Sequence, residues 1–321
     1  MKYVYVILLI LIILTIISII TRDSILSKIT SGFVTLQSMK IKYENLELVN
    51  FIKKHNFENI QYNIGKKLEL NLEENDETKC AYFVIHPLTL HYDRDMLSTP
   101  AKSKSSLNRF IPFYTELLTN ILPDIELNGK SVSLDDCRII DILNYSGSLF
   151  PKLHNDLEWT YFSPDTPGFQ VWYLLKNNNV EQGNMFVSKI HELCGVQQTE
   201  MINDELLFHN NGAFLKNGKP LNEKFSLRLS DLDLKYVNIK EGECFVFHKN
   251  LLHMSDPRTS QTRIAISFRV AVCDKKGKLT VNNVKNDNYL RFKNPRIAHY
   301  INQIPDDCSS KEFPISQFEL I

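Results

Sequence analysis

Residues 242–270, GECFVFHKNLLHMSDPRTSQTRIAISFRV, read as two strands joined by a turn. An apolar run through Phe245 to His248 leads on to His253, Asp256-Pro257 supplies the turn, and Arg263 to Cys273 is the clearest strand of the chain. Along that strand Ile264, Ile266, Phe268, Val270 and Val272 point to one face, while Arg263, Ala265, Ser267, Arg269 and Ala271 point to the other. The first face suits packing; the second is small, polar and cationic. If the two segments pair as antiparallel neighbours about a turn near Arg258, His253 and Arg263 are equidistant from it and stand at one level. Arg269, six residues further on, then falls roughly 20 Å from that level.

Working outward, the chain from about Ser131 consists of short strand-like runs separated by Gly, Pro, Asn and Asp, which predicts an all-β barrel or sandwich. Within it His154-Asn155-Asp156 is an H-x-D motif, and in an extended chain residues i and i+2 share a face, so an imidazole and a carboxylate can meet one cation. A second such pair, His91-Tyr92-Asp93, precedes the barrel without a partner at suitable spacing and reads as a surface or capping pair. His248 reads as a hydrogen-bonded core histidine. Together His154, Asp156 and His253 supply two imidazoles and one carboxylate, the facial set that suits non-haem Fe(II) and leaves three adjacent positions open. Those positions suit a bidentate 2-oxo acid plus O2. The planar fork of Arg263 suits the far carboxylate of 2-oxoglutarate.

With these residues in place the sequence resembles the phytanoyl-CoA dioxygenase-like family of Fe(II)/2-oxoglutarate-dependent oxygenases. The resemblance covers roughly Ile139 to Cys273. It rests on LHNDLEW (153–159), on FQVWYLLKNNNVEQGNMFV (169–187) and on GECFVFHKNLLHMSD followed by TRIAISFRV. It implies a double-stranded β-helix (jelly-roll barrel), iron ligands at His154, Asp156 and His253, and Arg263 on the distal carboxylate of 2-oxoglutarate. It further implies Trp172 and Ser255 as secondary contacts to that co-substrate, with ordinary barrel packing as the plain alternative for Trp172. The implied activity is hydroxylation of an unactivated C–H bond with release of succinate and CO2. Halogenation is disfavoured because Asp156 fills the position that halogenating relatives leave for chloride. The chain departs from the family at Val187-Ser188-Lys189-Ile190-His191, where many members have a Pro-Gly-Ser-His turn, and about fifty residues then intervene before Gly242.

The remainder of the 321 residues sets the context. Tyr3 to Ile20 are 18 residues without a charge, enough helix to span roughly 27 Å, and predict a single-pass transmembrane anchor over residues 1–21. Lys2 and the amino terminus face Arg22, Lys28 and Lys40 across it, which leaves the side of the membrane open. Residues 22–65 read as a stem or helical linker, with Leu46, Val49 and Ile52 at helical spacing; a core helix explains that pattern equally well. The oxygenase domain with its supporting elements takes 66–275, including a loop at Ser98 to Ser106 and a helix through Tyr114, Leu117 and Ile121 in which Pro112 belongs to the first turn. Residues 276–321 read as a capping extension.

Equal numbers of basic and acidic residues, 37 each, argue against a nucleic-acid binder. Six scattered cysteines without a CxxC pair form neither a disulfide framework nor a zinc ribbon. A small molecule, a lipid and a peptide side chain all fit as substrates, and the sequence leaves the oligomeric state open. Two other readings compete: a membrane-anchored glycosyltransferase using Asp93-Arg94-Asp95 as a D-x-D motif, and a non-catalytic jelly-roll binding protein. The transferase requires strands alternating with helices around a parallel sheet.

Overall fold

The computed structural model describes residues 46–60, 66–71, 79–85, 104–146, 152–177, 181–190, 195–210, 215–216, 219–220, 224–258, 263–273, 276–284 and 295–318. The chain passes through α1 (Leu46–Lys54), β1 (Glu58–Ile60), β2 (Tyr82–Ile85), α2 (Lys104–Ile121), β3 (Cys137–Ser146), β4 (Gly168–Asn177) and β5 (Met185–Ile190). It continues through β6 (Val196–Ile202), β7 (Glu205–Asn210), β8 (Lys224–Arg228), β9 (Lys235–Val237), β10 (Cys244–His248), β11 (Leu251–Ser255) and β12 (Arg263–Val272). The last elements are β13 (Lys278–Asn282), α3 (Pro295–Ile301) and β14 (Ser310–Pro314).

One sheet has the order β2-β10-β4-β12-β3, antiparallel throughout, and a second has β1-β9-β5-β11. The short segment Leu153 to Asn155 extends the second sheet, because His154 bridges to His253 on β11 and to Gln197 on β6. From β3 onward the chain therefore crosses between the two sheets at each step, except that β5 and β9 both lie in the second. The resulting strand orders, β3-β12-β4-β10 facing segment 153–155-β11-β5-β9, are those of a jelly roll. Between β5 and β9 the described residues include the antiparallel ribbon β6-β7-β8, turned between β6 and β7 at Asn203 and Asp204, whose φ values of 51° and 63° suit a two-residue hairpin.

Strand alternation decides which side chains go where. Trp172, Leu174, Phe245, Phe247 and Ala265 of the first sheet meet Met185, Val187, Val237 and Leu251 of the second, forming the core between the sheets. The intervening residues, Val171, Tyr173, Val246, Ile266, Phe268 and Val270, face outward and are covered by Phe113, Tyr114, Leu117, Leu118 and Ile121 of α2. Each such side chain contributes roughly 1.5–3 kcal/mol on burial. That contribution explains a departure from expectation: α2 begins at Lys104, inside the stretch read as a loop, and runs through Pro112 instead of starting there. A proline inside a helix costs about 3 kcal/mol, and burial of the following two turns against the sheet offsets it.

Leu48 and Ile52 of α1 are buried among Leu153, Phe186, Leu252 and Met254, so this helix belongs to the body, as the second reading of its pattern had it. The carboxy-terminal elements β13, α3 and β14 pack Leu279, Val281, Ile297, Ile301 and Phe313 against Trp159, Tyr161, Phe162 and Ala271. Among the described residues from Cys137 to Val272 the paired sheets show no alternation of strand and α-helix of the kind a nucleotide-sugar transferase needs, and Asp93-Arg94-Asp95 and His91 lie outside the described residues. Among the described residues no helix is long and apolar enough to cross a membrane; Tyr3 to Ile20 lie outside them.

Gly168 opens β4 where a Cβ would run into the Trp159 ring and stand 2.7 Å from the Val270 carbonyl oxygen. Gly168→Ala is expected to lower stability by about 1–3 kcal/mol through overpacking, measured as a reduced urea midpoint with an unchanged m value. His248 sets a second expectation. Its Nε2–H donates to the Leu70 carbonyl at 3.2 Å, and its Nδ1 accepts the Asn250 N–H at 3.1 Å, so a proton added at Nδ1 meets another donor. Burial, outweighing the Leu70 contact, lowers this imidazole to about 4 from its usual 6.5. Between those values only the unfolded chain takes up the proton, so stability is intact above pH 6.5 and falls as the pH drops towards 4, by about 3 kcal/mol. Urea titrations of native protein and of His248→Gln across that window are expected to give a flatter profile in the variant.

Candidate metal centre

His154 and His253 meet because their backbones pair. The His154 N–H donates to the His253 carbonyl at 2.9 Å, and the His253 N–H donates back at 2.7 Å. Directly opposed residues of such a pair carry their side chains on one face, and the two ring centroids stand 4.4 Å apart. Asn155 locks the segment from the other side: its carboxamide oxygen accepts the Val196 N–H at 2.7 Å, and its own N–H donates to the Val196 carbonyl. Asp156 follows in extended conformation, just ahead of the single 3₁₀ turn Leu157–Tyr161, which returns its side chain to the face of His154.

Asp156 Oδ1 lies 3.6 Å from His154 Nε2 and 3.7 Å from His253 Nε2, and one ligand atom from each of the three residues falls within 4.8 Å of the others. Around a cation with bonds of about 2.1 Å, cis donors stand roughly 3.0–3.4 Å apart, so each carboxylate–imidazole distance needs to shorten by only a few tenths of an ångström. Both imidazoles are turned for ligation. His154 Nδ1 is 2.8 Å from the Lys152 carbonyl and His253 Nδ1 is 3.0 Å from the Leu251 carbonyl. A carbonyl oxygen can only accept, so each Nδ1 carries the hydrogen and each Nε2 presents its lone pair to the centre. Burial and the neighbouring His154 lower His253 to about 4 despite Asp156, which keeps it neutral near pH 7. Burial opposes ionisation of Asp156, yet the Arg269 guanidinium and the imidazoles outweigh it and hold the carboxyl well below the usual carboxylate range. Two imidazole nitrogens and one carboxylate oxygen form a donor set that fits a divalent transition metal.

These three residues open onto a narrow cleft lined also by Trp172, Met185, Phe247, Met254, Ser255, Arg263, Ser267 and Arg269. Arg263 is buried, with its Nη1 donating to the Gly183 and Asn184 carbonyls and its Nη2 donating to Ser255 Oγ at 2.8 Å. Its guanidinium carbon sits 5.1 Å from the centre of the Trp172 ring. Trp172 packs in the core between the sheets and also contacts the Arg263 cation. Behind this group the carboxylate of Asp256, gripped by Arg258, accepts the Gly183 N–H at 2.9 Å and so fixes the peptide on which Arg263 rests. Gly183 has a φ of 91°, a conformation open to glycine at little strain.

Two expectations are corrected here. Strands β11 and β12 are not hairpin neighbours: β11 pairs with β5 and β12 with β4 and β3, because the link after Asp256 crosses from one sheet to the other. His253 and Arg263 therefore approach across the cleft, with Ser255 as the direct contact of Arg263. Arg269, placed by strand arithmetic about 20 Å away, reaches Asp156 itself, its Nε donating to Oδ2 at 2.9 Å and its Nη2 lying 2.6 Å from the same atom. Its other neighbour is Glu158, 3.4 Å from Nη2. Alternation places Arg263, Ser267 and Arg269 on one face; the distance fails because it is measured from the level of a hairpin between β11 and β12 that does not form, and the length of the arginine side chain adds further reach.

No protein-family model matches the sequence, and no curated protein matches it. Solved structures similar to the chain include the iron and alpha-ketoglutarate-dependent endoperoxidase NvfI, at 12% identity and TM-score 0.36 over 60% of this chain and 78% of that one. The epimerase SnoN in complex with Fe3+, alpha ketoglutarate and nogalamycin RO gives 11% identity and TM-score 0.33 over 86% and 84% of the two chains. EvdO2 from Micromonospora carbonacea var. aurantiaca gives 14% identity and TM-score 0.31 over 53% and 64%. At such identities and TM-scores the functional argument stays with the side chains of this chain.

Proposed function

We infer that this chain is an Fe(II)- and 2-oxoglutarate-dependent dioxygenase. The carrying observation is the convergence of His154, Asp156 and His253 in a cleft whose opposite wall holds the buried cation Arg263. A dicarboxylate suits that pairing: its 2-oxo acid end would take two metal positions, and its far carboxylate the Arg263 fork, with Ser255 and Trp172 beside it. The bound iron supplies the oxidising chemistry with O2 while the 2-oxo acid is converted to succinate and CO2. The residues of the chain do the holding. The Nδ1 hydrogen bonds orient the two imidazoles, and Trp172, Met185, Phe247 and Met254 supply an apolar wall.

Within that class we place the protein with the phytanoyl-CoA dioxygenase-like oxygenases, on the motifs around His154, Gly183 and His253, and assign it hydroxylation of a C–H bond in a small-molecule, lipid or peptide substrate. The uncharged run Tyr3 to Ile20 supports attachment to a membrane as a single-pass protein, tested by retention in the pellet after an alkaline carbonate wash.

Anaerobic addition of Fe(II) and then 2-oxoglutarate to the purified full-length chain tests the central reading. The expected result is a weak visible metal-to-ligand charge-transfer band that appears only when both are present. Well-folded protein that gives no band overturns it. Incubation with heavy-isotope O2 and a metabolite or lysate pool is the route to the substrate, read as label incorporation dependent on 2-oxoglutarate.

A further inference from the structure

Resting on the iron reading above, we propose that Arg269 is a positioning residue that fixes Asp156 as a one-oxygen ligand and thereby keeps the remaining metal positions open. Asp156 has two carboxylate oxygens, and the structure gives them separate work. Oδ1 faces the two imidazole Nε2 atoms at 3.6 and 3.7 Å, while Oδ2 is held by both Nε and Nη2 of Arg269. A carboxylate gripped through one oxygen by two N–H groups of a planar fork cannot swing to chelate a cation through both. Without that grip Asp156 is free to bind bidentately, which would consume a position that a 2-oxo acid and O2 require.

Two further observations point the same way. Arg269 is 1% exposed, and a buried guanidinium is a poor device for stability alone, since its desolvation offsets much of the attraction to its partner. The pairing of β12 with β3 also slips between Arg269 and Val270, and such bulges re-aim a side chain where regular pleating would not. Glu158 lies 3.4 Å from the same Nη2 that meets Asp156. The arginine thus pairs with both acids and acts on the metal through the aspartate.

The experiment uses Co(II) alone, added to metal-free full-length protein and followed by titration calorimetry and by visible d–d absorption. Native protein is expected to bind one Co(II). Arg269→Gln is expected to bind it about 10–100-fold more weakly, the range typical of partners that orient a ligand, with d–d bands changed in position and intensity as the carboxylate turns. Arg269→Lys is expected to recover part of the affinity, since one ammonium restores the charge without the fork. Because Arg269→Gln leaves two buried acids short of a partner, Arg269→Gln/Glu158→Gln removes one charge of each sign and provides a variant better able to fold. The same weakening and spectral change are expected in it. Unchanged affinity and an unchanged spectrum in folded variants overturn the positioning role while the metal site stands. Failure of the native protein to bind Co(II) overturns the iron reading and this inference with it.

Discussion

His154→Ala and His253→Ala are each expected to abolish the charge-transfer band and to weaken Fe(II) binding at least about a hundredfold, more than the loss of an orienting partner. Removing either imidazole leaves one nitrogen and one carboxylate oxygen, too few to hold a divalent ion against water. The backbone bonds between these residues survive alanine, since they join N–H to carbonyl and involve no ring atom. Circular dichroism and the urea midpoint should therefore stay close to native while metal binding is lost. A variant that keeps the band identifies a ligand set other than His154, Asp156 and His253.

Arg263→Leu is expected to weaken 2-oxoglutarate binding by roughly 30-fold or more, from the 2–5 kcal/mol that a buried charged partner commands, while Fe(II) binding is retained. The leucine leaves the Gly183 and Asn184 carbonyls without this donor, so some stability is lost as well. Titrating the Fe(II) protein with 2-oxoglutarate and with a monocarboxylic 2-oxo acid separates the effects. Native protein should prefer the dicarboxylate, and the variant should lose the preference. Equal affinity of native and variant protein for 2-oxoglutarate refutes the assignment of Arg263.

The parts of this site legible in the sequence were those set by periods and short spacings. The two-residue period of β12 separated packing side chains from polar ones, and the i, i+2 geometry of His154 and Asp156 required nothing beyond an extended chain. His253 was recognisable from its strand and its motif. The partner of Arg263 was misread because a turn at Asp256-Pro257 says where the chain bends but not whether the next strand joins the same sheet or the opposite one. The grip of Arg269 on Asp156 joins positions 113 apart in sequence, and the reach of a long side chain across a barrel leaves no periodic trace. The start of α2 was hidden for another reason. Pro112 is a strong local signal, and it was overridden by apolar burial against a sheet whose strands lie elsewhere in the sequence.

The reciprocal backbone bonds between His154 and His253 also order events during synthesis. A nascent chain carrying only the H-x-D segment has a partial claim on a cation, and the remaining ligand emerges 97 residues after Asp156. Closing a loop of that length carries an entropy penalty that the packed sheets must meet, so loading awaits the near-finished barrel. The ion, binding only the closed form, would then add about 2.7 kcal/mol at a hundred times its dissociation constant. Chelation should accordingly lower the melting temperature of the mature protein while leaving the earliest collapse of the refolding chain unchanged.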